Sequence, residues 1–295
     1  MNVLITGCGG MLGSAVLPAF VNAGYWVTAT DLVPNRPGMG KLDVRDYGAV
    51  DIEVRRLAPD LILHLAAETD LERCEDDPDH AWMTNAVGTQ NVALVAARHH
   101  IRMVYISTAG VFDGTKKGPY HELDVPNPIN VYGATKYAGE RFVERLDRHY
   151  IVRAGWMIGG HALDHKFIAK VRAQINAGIK VISAVDDKWG TPTYTVDFAQ
   201  NLLDLVSTPY YGLYHMVSPG LGTRYDVALE LVDALECDDV EVVPVGSDFF
   251  DDVYSAPRPH SEMMVNRMLE LRGLNRMRPW RDALRAYLSS SSEGS

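Results

Sequence analysis

Cysteine is scarce in this 295-residue chain: Cys8, Cys74 and Cys237 stand far apart, with no C-x-x-C pair among them. That argues against a disulfide framework and a structural zinc site, and a reducing, cytoplasmic location is expected. Long apolar runs are missing as well. The chain is 47% hydrophobic, yet no stretch is long enough to span a bilayer. It opens directly on a strand-like segment instead of a charged leader, so neither secretion nor membrane anchoring is expected. Positive charge is in deficit, with 28 Lys and Arg against 38 Asp and Glu and a net charge of −10. Phosphate backbones select basic surfaces, so a nucleic-acid partner is not expected. What remains is a chain long enough to bury a large core, as one big α/β unit or two closely joined domains.

The first elements set the theme. Asn2–Thr6 is a short apolar run with β-branched residues, and it ends in Gly7-Cys8-Gly9-Gly10-Met11-Leu12-Gly13. Ser14–Ala23 has helical periodicity, with Pro18 inside it predicting a kink, and Tyr25–Asp31 reads as a second strand. Strand, glycine turn, helix and strand are the context in which small residues let the backbone approach a pyrophosphate. The helix N-terminus then offers free N–H groups and the positive end of its dipole. Asp31 closes the second strand, where a carboxylate can bind ribose hydroxyls and repel a 2′-phosphate. This favours NAD(H) over NADP(H), although Asp31 also suits a plain turn and Arg36 lies close by.

Strand and helix go on alternating. Leu42-Asp43-Val44 reads as a short third strand, followed by a helix to about Leu57. Leu61–Ala67 is apolar throughout, as strands buried in a parallel sheet are. Its end, Ala66-Ala67, is small enough for a cofactor to pass, and His64 within it reads as a packed core residue. Trp82–His99 predicts a long helix containing Asn85, and Met103–Ser107 another buried strand, which delivers Ser107-Thr108 to the carboxyl end of the sheet, where open α/β folds bind ligands. Asp124–Asn130 carries two prolines and predicts a rigid loop. The alternation through residue 155 predicts a doubly wound parallel sheet.

After that loop comes Tyr132-Gly133-Ala134-Thr135-Lys136. Residues four apart share a helix face, so the phenol and the ammonium can enter one pocket. A neighbouring cation is expected to pull the phenol below its free pKa of about 10, towards the range useful for acid–base catalysis. Surface helices carry the same spacing without any such role, so it gains meaning only from its surroundings.

Past residue 155 the pattern loosens. Gly159–His165 reads as a loop whose His161-x-x-x-His165 spacing lacks the Glu of a metal-binding helix, and no metal site is expected. Phe167–Ala177 predicts a helix, Lys180–Ser183 a strand, Thr195–Val206 a helix and Tyr211–Val217 a strand. Residues from about 218 predict a smaller lobe. Arg258, Arg267, Arg272, Arg276, Arg278, Arg281 and Arg285 form a locally basic run, mostly a solvated helix face. Ser289–Ser295 is low in complexity and expected to be disordered.

Together these features resemble an extended short-chain dehydrogenase/reductase of the dTDP-4-dehydrorhamnose reductase branch. The residues that carry the resemblance run over nearly the whole chain in the family's order. They begin with Gly7/Gly10/Gly13, Leu65-Ala66-Ala67, Asn85 with Gly88-Thr89, Ser107-Thr108, Val111-Phe112-Asp113-Gly114 and Tyr120/Glu122. Tyr132-Gly133 with Lys136, Gly139-Glu140, Gly190-x-Pro192-Thr193 and Arg258-Pro259 follow.

The resemblance implies a Rossmann domain over residues 1–157 plus about 192–217. A smaller C-terminal α/β substrate lobe would take about 158–191 plus 218–288. It implies hydride transfer between a nicotinamide cofactor and the 4-keto group of a nucleotide-linked deoxysugar, with a homodimer as the usual arrangement. Tyr132 would be the proton donor, Lys136 would lower its pKa and hold the nicotinamide ribose, and Thr108 would polarise the carbonyl. The expected cofactor contacts are Gly7, Gly10, Met11, Leu12, Gly13, Asp31, Asp43, Val44, Leu65, Ala66, Ala67, Asn85, Tyr132 and Lys136.

For the substrate they are Ser107, Ala109, Trp156, which matches a family tryptophan but also suits the core, and Arg258, which suits a diphosphate. One departure is plain. The reductases carry Thr-Asp-Tyr where this chain has Thr108-Ala109-Gly110, which predicts a wider, less polar sugar pocket and argues against a 4,6-dehydratase. Two other roles use the same fold: a sugar-nucleotide epimerase that returns its hydride, and a non-catalytic regulatory subunit like that of methionine adenosyltransferase.

Overall fold

The computed structural model describes residues 1–290. β1 (Asn2–Thr6) leads through the glycine turn into α1 (Gly13–Asn22), followed by β2 (Trp26–Asp31), β3 (Gly40–Lys41), α2 (Tyr47–Leu57) and β4 (Leu61–His64). α3 (Leu71–Asp76) and α4 (Pro78–Ala81) come next. A π-helical turn at Trp82–Val87 then runs straight into α5 (Gly88–Arg98), and β5 (Arg102–Thr108) follows. α6 (Val131–Val143), β6 (His149–Ala154) and β7 (Trp156–Ile158) complete the first half. The second half holds α7 (Phe167–Asn176), β8 (Val181–Val185), β9 (Trp189–Gly190), β10 (Pro192–Tyr194), α8 (Thr195–Val206), β11 (Gly212–Met216) and β12 (Gly222–Thr223). It ends with α9 (Arg224–Ala234), β13 (Glu241–Val245), α10 (Arg267–Leu271) and α11 (Trp280–Ser290).

Seven strands form one sheet in the order β11-β6-β5-β4-β1-β2-β3, and every pairing in it is parallel. The fold is the doubly wound Rossmann sheet expected from the sequence. Its order reverses between β1 and β4, and at such a switch point the loops part and leave a crevice at the carboxyl ends of the strands. Strands buried on both faces need apolar residues on both sides, and β4 supplies Leu61, Ile62 and Leu63, all fully buried. His64 is the exception that its neighbours satisfy. Its ring nitrogens meet Thr6 Oγ1 at 2.7 Å and Thr89 Oγ1 at 3.0 Å, and burial pushes its pKa down to about 3. It is a neutral core residue, as its sequence context suggested.

Three small pairings build the other side of the crevice: β7 with β10, β8 with β13, and β9 with β12. Their core gathers Ile168, Ile182, Leu231, Trp280 and Tyr287. The chain also crosses back, because Leu269 and Met277 pack into the core of the seven-stranded sheet.

Three local expectations change. The third strand is Gly40–Lys41 rather than Leu42–Val44, because Leu42 and Val44 bury into the core around α2 and α5. The long helix at 82–99 contains the π-helical turn, a form that occurs frequently at functional sites. Ser289 and Ser290 belong to α11, where their hydroxyls donate to Arg285 O and Tyr287 O. The rest of the expected disordered tail, from residue 291, lies outside the described residues.

Two glycines let α6 lie directly on the sheet end. A Cβ at Gly133 would stand 2.1 Å from Gly110 O, and one at Gly139 would stand 2.3 Å from Tyr105 Oη. Glycine in a helix interior ordinarily costs up to about 1 kcal/mol relative to alanine, so the sign of Gly139→Ala is diagnostic. We expect the variant to lose about 1–3 kcal/mol through overpacking, read as a lower urea midpoint. A gain in stability would show that α6 does not need this close approach.

Candidate active site

The crevice at the switch point opens into a cleft of about 1320 Å³ between the sheet and the small lobe. This exceeds the roughly 300–1,000 Å³ of an ordinary small-molecule pocket and leaves room for two ligands. On the sheet side it is lined by the glycine turn with Met11 and Leu12, by Asp31, Asp43 and Val44, and by Leu65, Ala66 and Ala67. At its base are Ser107, Thr108, Ala109, Tyr132 and Lys136, and on the lobe side Trp156 and Arg258. Every expected site residue except Asn85 therefore lines one cleft.

Several of these side chains are already committed. Asn85 is fully buried because it holds the loop after β4: its Oδ1 accepts from Glu68 N–H at 2.8 Å, and its Nδ2 donates to Glu68 O and Thr135 Oγ1. It shapes the cleft wall instead of lining it. Asp31 braces the glycine turn, accepting from Gly9 N–H at 2.9 Å and Val33 N–H at 3.1 Å. Asp43 is held by Arg45, which keeps its carboxyl below the usual range. Ser107 donates at 2.5 Å to Glu140, which forms a buried ion pair with Arg153; it is a structural group and not a free hydroxyl.

At the base, α6 begins with Asn130 as N-cap, its side chain accepting from Gly133 N–H at 2.7 Å. One turn of helix then places Tyr132 and Lys136 on the same face. Tyr132 stands beside Thr108, whose hydroxyl favours the ionised phenol and accepts from Gly110 N–H at 3.1 Å. Lys136 is buried, with its Nζ 4.3 Å from the Tyr105 ring centroid. The expected depression of the phenol by the lysine is not what the site does. Burial pushes the Tyr132 hydroxyl well above its ordinary value, opposed only by Thr108. Burial likewise pulls Lys136 down to about 7, against the upward pull of Glu140. Removal from water penalises the charged form of each group more than they help one another.

Trp156 and Arg258 line the cleft as expected and also make contacts that the sequence did not announce. The Trp156 indole N–H donates to Glu262 at 2.6 Å, the Arg224 guanidinium lies 3.8 Å from the ring centroid, and Gly190 packs against the ring. The indole is thus a platform for an arginine. Arg258 donates to Glu72 at 2.5 Å and to Ala256 O at 2.8 Å and sits 4.8 Å from the Tyr254 ring. Glu72 accepts in addition from Ser255 N–H, Ser255 Oγ and Ala256 N–H. Glu72, Arg224 and Glu262 carried no motif in the sequence; only the fold brings them to the cleft.

The cleft fits a nicotinamide dinucleotide. The α1 N-terminus faces it, an added Cβ at Gly10 would meet only Gly7 O at 3.7 Å, and Thr84 Oγ1 in the cleft wall is buried without a hydrogen-bond partner. Among the described residues, no group of three or more His, Cys, Asp or Glu converges as metal ligands would. No helix among them is long and apolar enough to cross a membrane.

Fold and cleft together define an NAD(P)-dependent oxidoreductase of the extended short-chain dehydrogenase/reductase type. The model of the RmlD substrate binding domain matches residues 1–292, and the chain belongs to that family. It is 35% identical, over 95% of its length and 94% of the other's, to a dTDP-4-keto-6-deoxy-D-glucose reductase of Streptomyces niveus. It is 34% identical, over 99% and 88%, to a dTDP-4-dehydrorhamnose reductase of Mycolicibacterium smegmatis. A solved dTDP-4-dehydrorhamnose reductase of Bacillus anthracis, in complex with NADP, superposes with a TM-score of 0.90 at 31% identity, covering 98% of this chain and 99% of that one.

The burial of Lys136 has a consequence for stability. With a folded pKa near 7 and an unfolded one near 10.4, the unfolded chain binds more protons between those values, so this group makes stability rise with pH there. We expect the stability of the wild type relative to Lys136→Met to climb from pH 7 to about 10.4 in urea titrations. A flat difference would show that the ammonium is not desolvated.

Proposed function

We propose that this protein is an NAD(P)H-dependent reductase of the 4-keto group of a nucleotide-linked deoxysugar, with Tyr132 as the proton donor. The observation that carries the reading is the contact between Tyr132 and Thr108 at the carboxyl end of β5, in a cleft with room for a cofactor and a second ligand. The similarity to reductases of dTDP-linked 4-keto sugars supplies the substrate class. The partition into a cofactor domain (1–157 with about 192–217) and a substrate lobe (158–191 with 218–288) belongs to the same proposal, as does a homodimer.

In this reading the bound nicotinamide supplies the hydride. Thr108 holds a hydrogen bond to the substrate carbonyl and fixes its distance from the Tyr132 hydroxyl. Burial keeps that phenol protonated at neutral pH, so its proton is in place for the alkoxide oxygen as it forms. Lys136, held on the Tyr105 face, offers its ammonium to the cofactor ribose. The walls beside Tyr132 are Ala109 and Gly110, and an added Cβ at Gly110 would meet only ordinary contacts at 3.5–3.7 Å. The pocket therefore admits a bulkier sugar than one walled by Asp and Tyr.

Asp31 supports NADH over NADPH. Two backbone N–H groups orient its carboxylate, and the remaining lone pairs suit ribose hydroxyls. Comparing kcat/KM for the two cofactors tests this, and Asp31→Ala should shift the ratio towards NADPH. Equal use of both by the wild type would overturn the preference.

For the reaction itself, Tyr132→Phe should lower kcat by about 100- to 10,000-fold with nucleotide 4-keto-sugars while leaving the cofactor Kd unchanged in a calorimetric titration. Retained turnover in that variant would remove Tyr132 from the chemistry. A wild type that keeps bound NAD and consumes no added NADH would instead mark an epimerase.

A further inference from the structure

The lobe side of the cleft holds an arginine with nothing to bind. Arg224 is the first residue of α9, where Thr223 and Asp226 close a capping box, so its side chain is not needed for the helix end. It is half-buried in the cleft wall, packed on the Trp156 ring at 3.8 Å and 5.2 Å from the Phe167 ring centroid. Among the described residues its guanidinium has no hydrogen bond and no ion pair, and the Lys166 ammonium that shares the cleft with it has none either, whereas Lys188 donates to Arg258 O, Lys170 to Tyr254 Oη and Arg258 to Glu72. A guanidinium stacked between two aromatic rings keeps a rigid fork of five donors, and burying such a fork unpaired is costly unless a partner arrives.

The partner's shape follows from the N–H edge of the same indole. Glu262 is half-buried beside the ring and spends Oε2 on the Trp156 N–H. It forms no ion pair with Arg224. An acceptor group and a donor fork therefore flank one aromatic platform. Trp156 itself lies two residues past Ala154, the register partner of Thr108 on the neighbouring strand. The pair thus stands beside the catalytic end of the cleft.

Building on the reductase reading above, we propose that Arg224 and Glu262 are the specificity pair of the substrate pocket. Arg224 donates its fork to a phosphoryl oxygen of the substrate's diphosphate, and Glu262 accepts a hydrogen bond from a hydroxyl of the attached sugar. The two contacts fix the sugar at both ends, so that only a ring of the right length and hydroxyl placement presents its carbonyl to Tyr132 and Thr108.

Calorimetric titration of the full chain with dTDP, UDP, GDP and CDP, followed by steady-state kinetics with the matching 4-keto-sugar nucleotide, tests both halves. Arg224→Met should weaken the nucleoside diphosphate on the order of tenfold, and Arg224→Lys, which keeps the charge but not the fork, should restore part of the loss. Glu262→Gln should leave nucleoside diphosphate binding unchanged and raise KM for the sugar nucleotide on the order of tenfold. Both variants should keep the wild-type cofactor Kd, which reports that the fold is intact. Wild-type nucleoside diphosphate affinity in Arg224→Met, or an unchanged KM in Glu262→Gln, would overturn the pair while leaving the reductase reading in place. A wild type that binds none of the four diphosphates would overturn both. If Arg224→Met lowers affinity only for substrates bearing a carboxylated sugar, the oxyanion it meets is that carboxylate and the diphosphate assignment fails.

Discussion

The close approach of α6 to the end of β5 is the constraint on which the site depends. Glycines 133 and 139 remove the two Cβ atoms that would hold the helix off Gly110 and Tyr105. The helix can then press Lys136 against the Tyr105 ring and bring Tyr132 to Thr108. The Tyr105 hydroxyl donates back to Lys136 O at 3.1 Å. One turn further on, Glu140 fastens the same helix to β5 through Ser107 and to β6 through Arg153. Breaking one partner of a buried ion pair typically costs about 3–5 kcal/mol, so this helix has little freedom to drift from the strand ends.

That proximity also sets the electrostatics. A tyrosine and a lysine four residues apart suggest a phenol sharpened by a cation, but the helix that aligns them also excludes water from both. The dominant effect on each is desolvation, and it acts in opposite directions: the phenol rises and the ammonium falls. The same logic governs His64, neutral between two hydroxyls, and Arg224, whose pKa burial lowers to about 10. Depth in the molecule, more than pairwise spacing, decides which groups carry charge.

Much of this was legible in the chain. The alternation of apolar strands and amphipathic helices implied the doubly wound parallel sheet, because each strand of such a sheet must be apolar on both faces. The glycine turn, Ser107-Thr108 and Tyr132/Lys136 could be placed at the strand ends, since each follows directly on a readable element. The lobe side was not legible. Arg224 opens a helix like any other, Glu262 sits in a loop, and Glu72 is one acid in an acidic stretch; their meaning lies in contacts to residues 68, 106 and 186 positions away. Arg258 stood in a recognisable Arg-Pro context, but nothing local announced that Glu72 would claim it. The π-helical turn at 82–87 was invisible for a similar reason. It seats Asn85 against Glu68, a tertiary demand that no helical propensity encodes.

Glu72 lines the cleft and accepts from Ser255 N–H, Ser255 Oγ, Ala256 N–H and Arg258. One carboxylate on the sheet side thus clasps four donors of a lobe segment, and that segment is tied in turn to α7 through Tyr254 and Lys170. Losing any single donor leaves the other three in place. The four contacts at residue 72 together fasten this lobe segment to the sheet side, so its position is fixed by one carboxylate on a short helix of the Rossmann half.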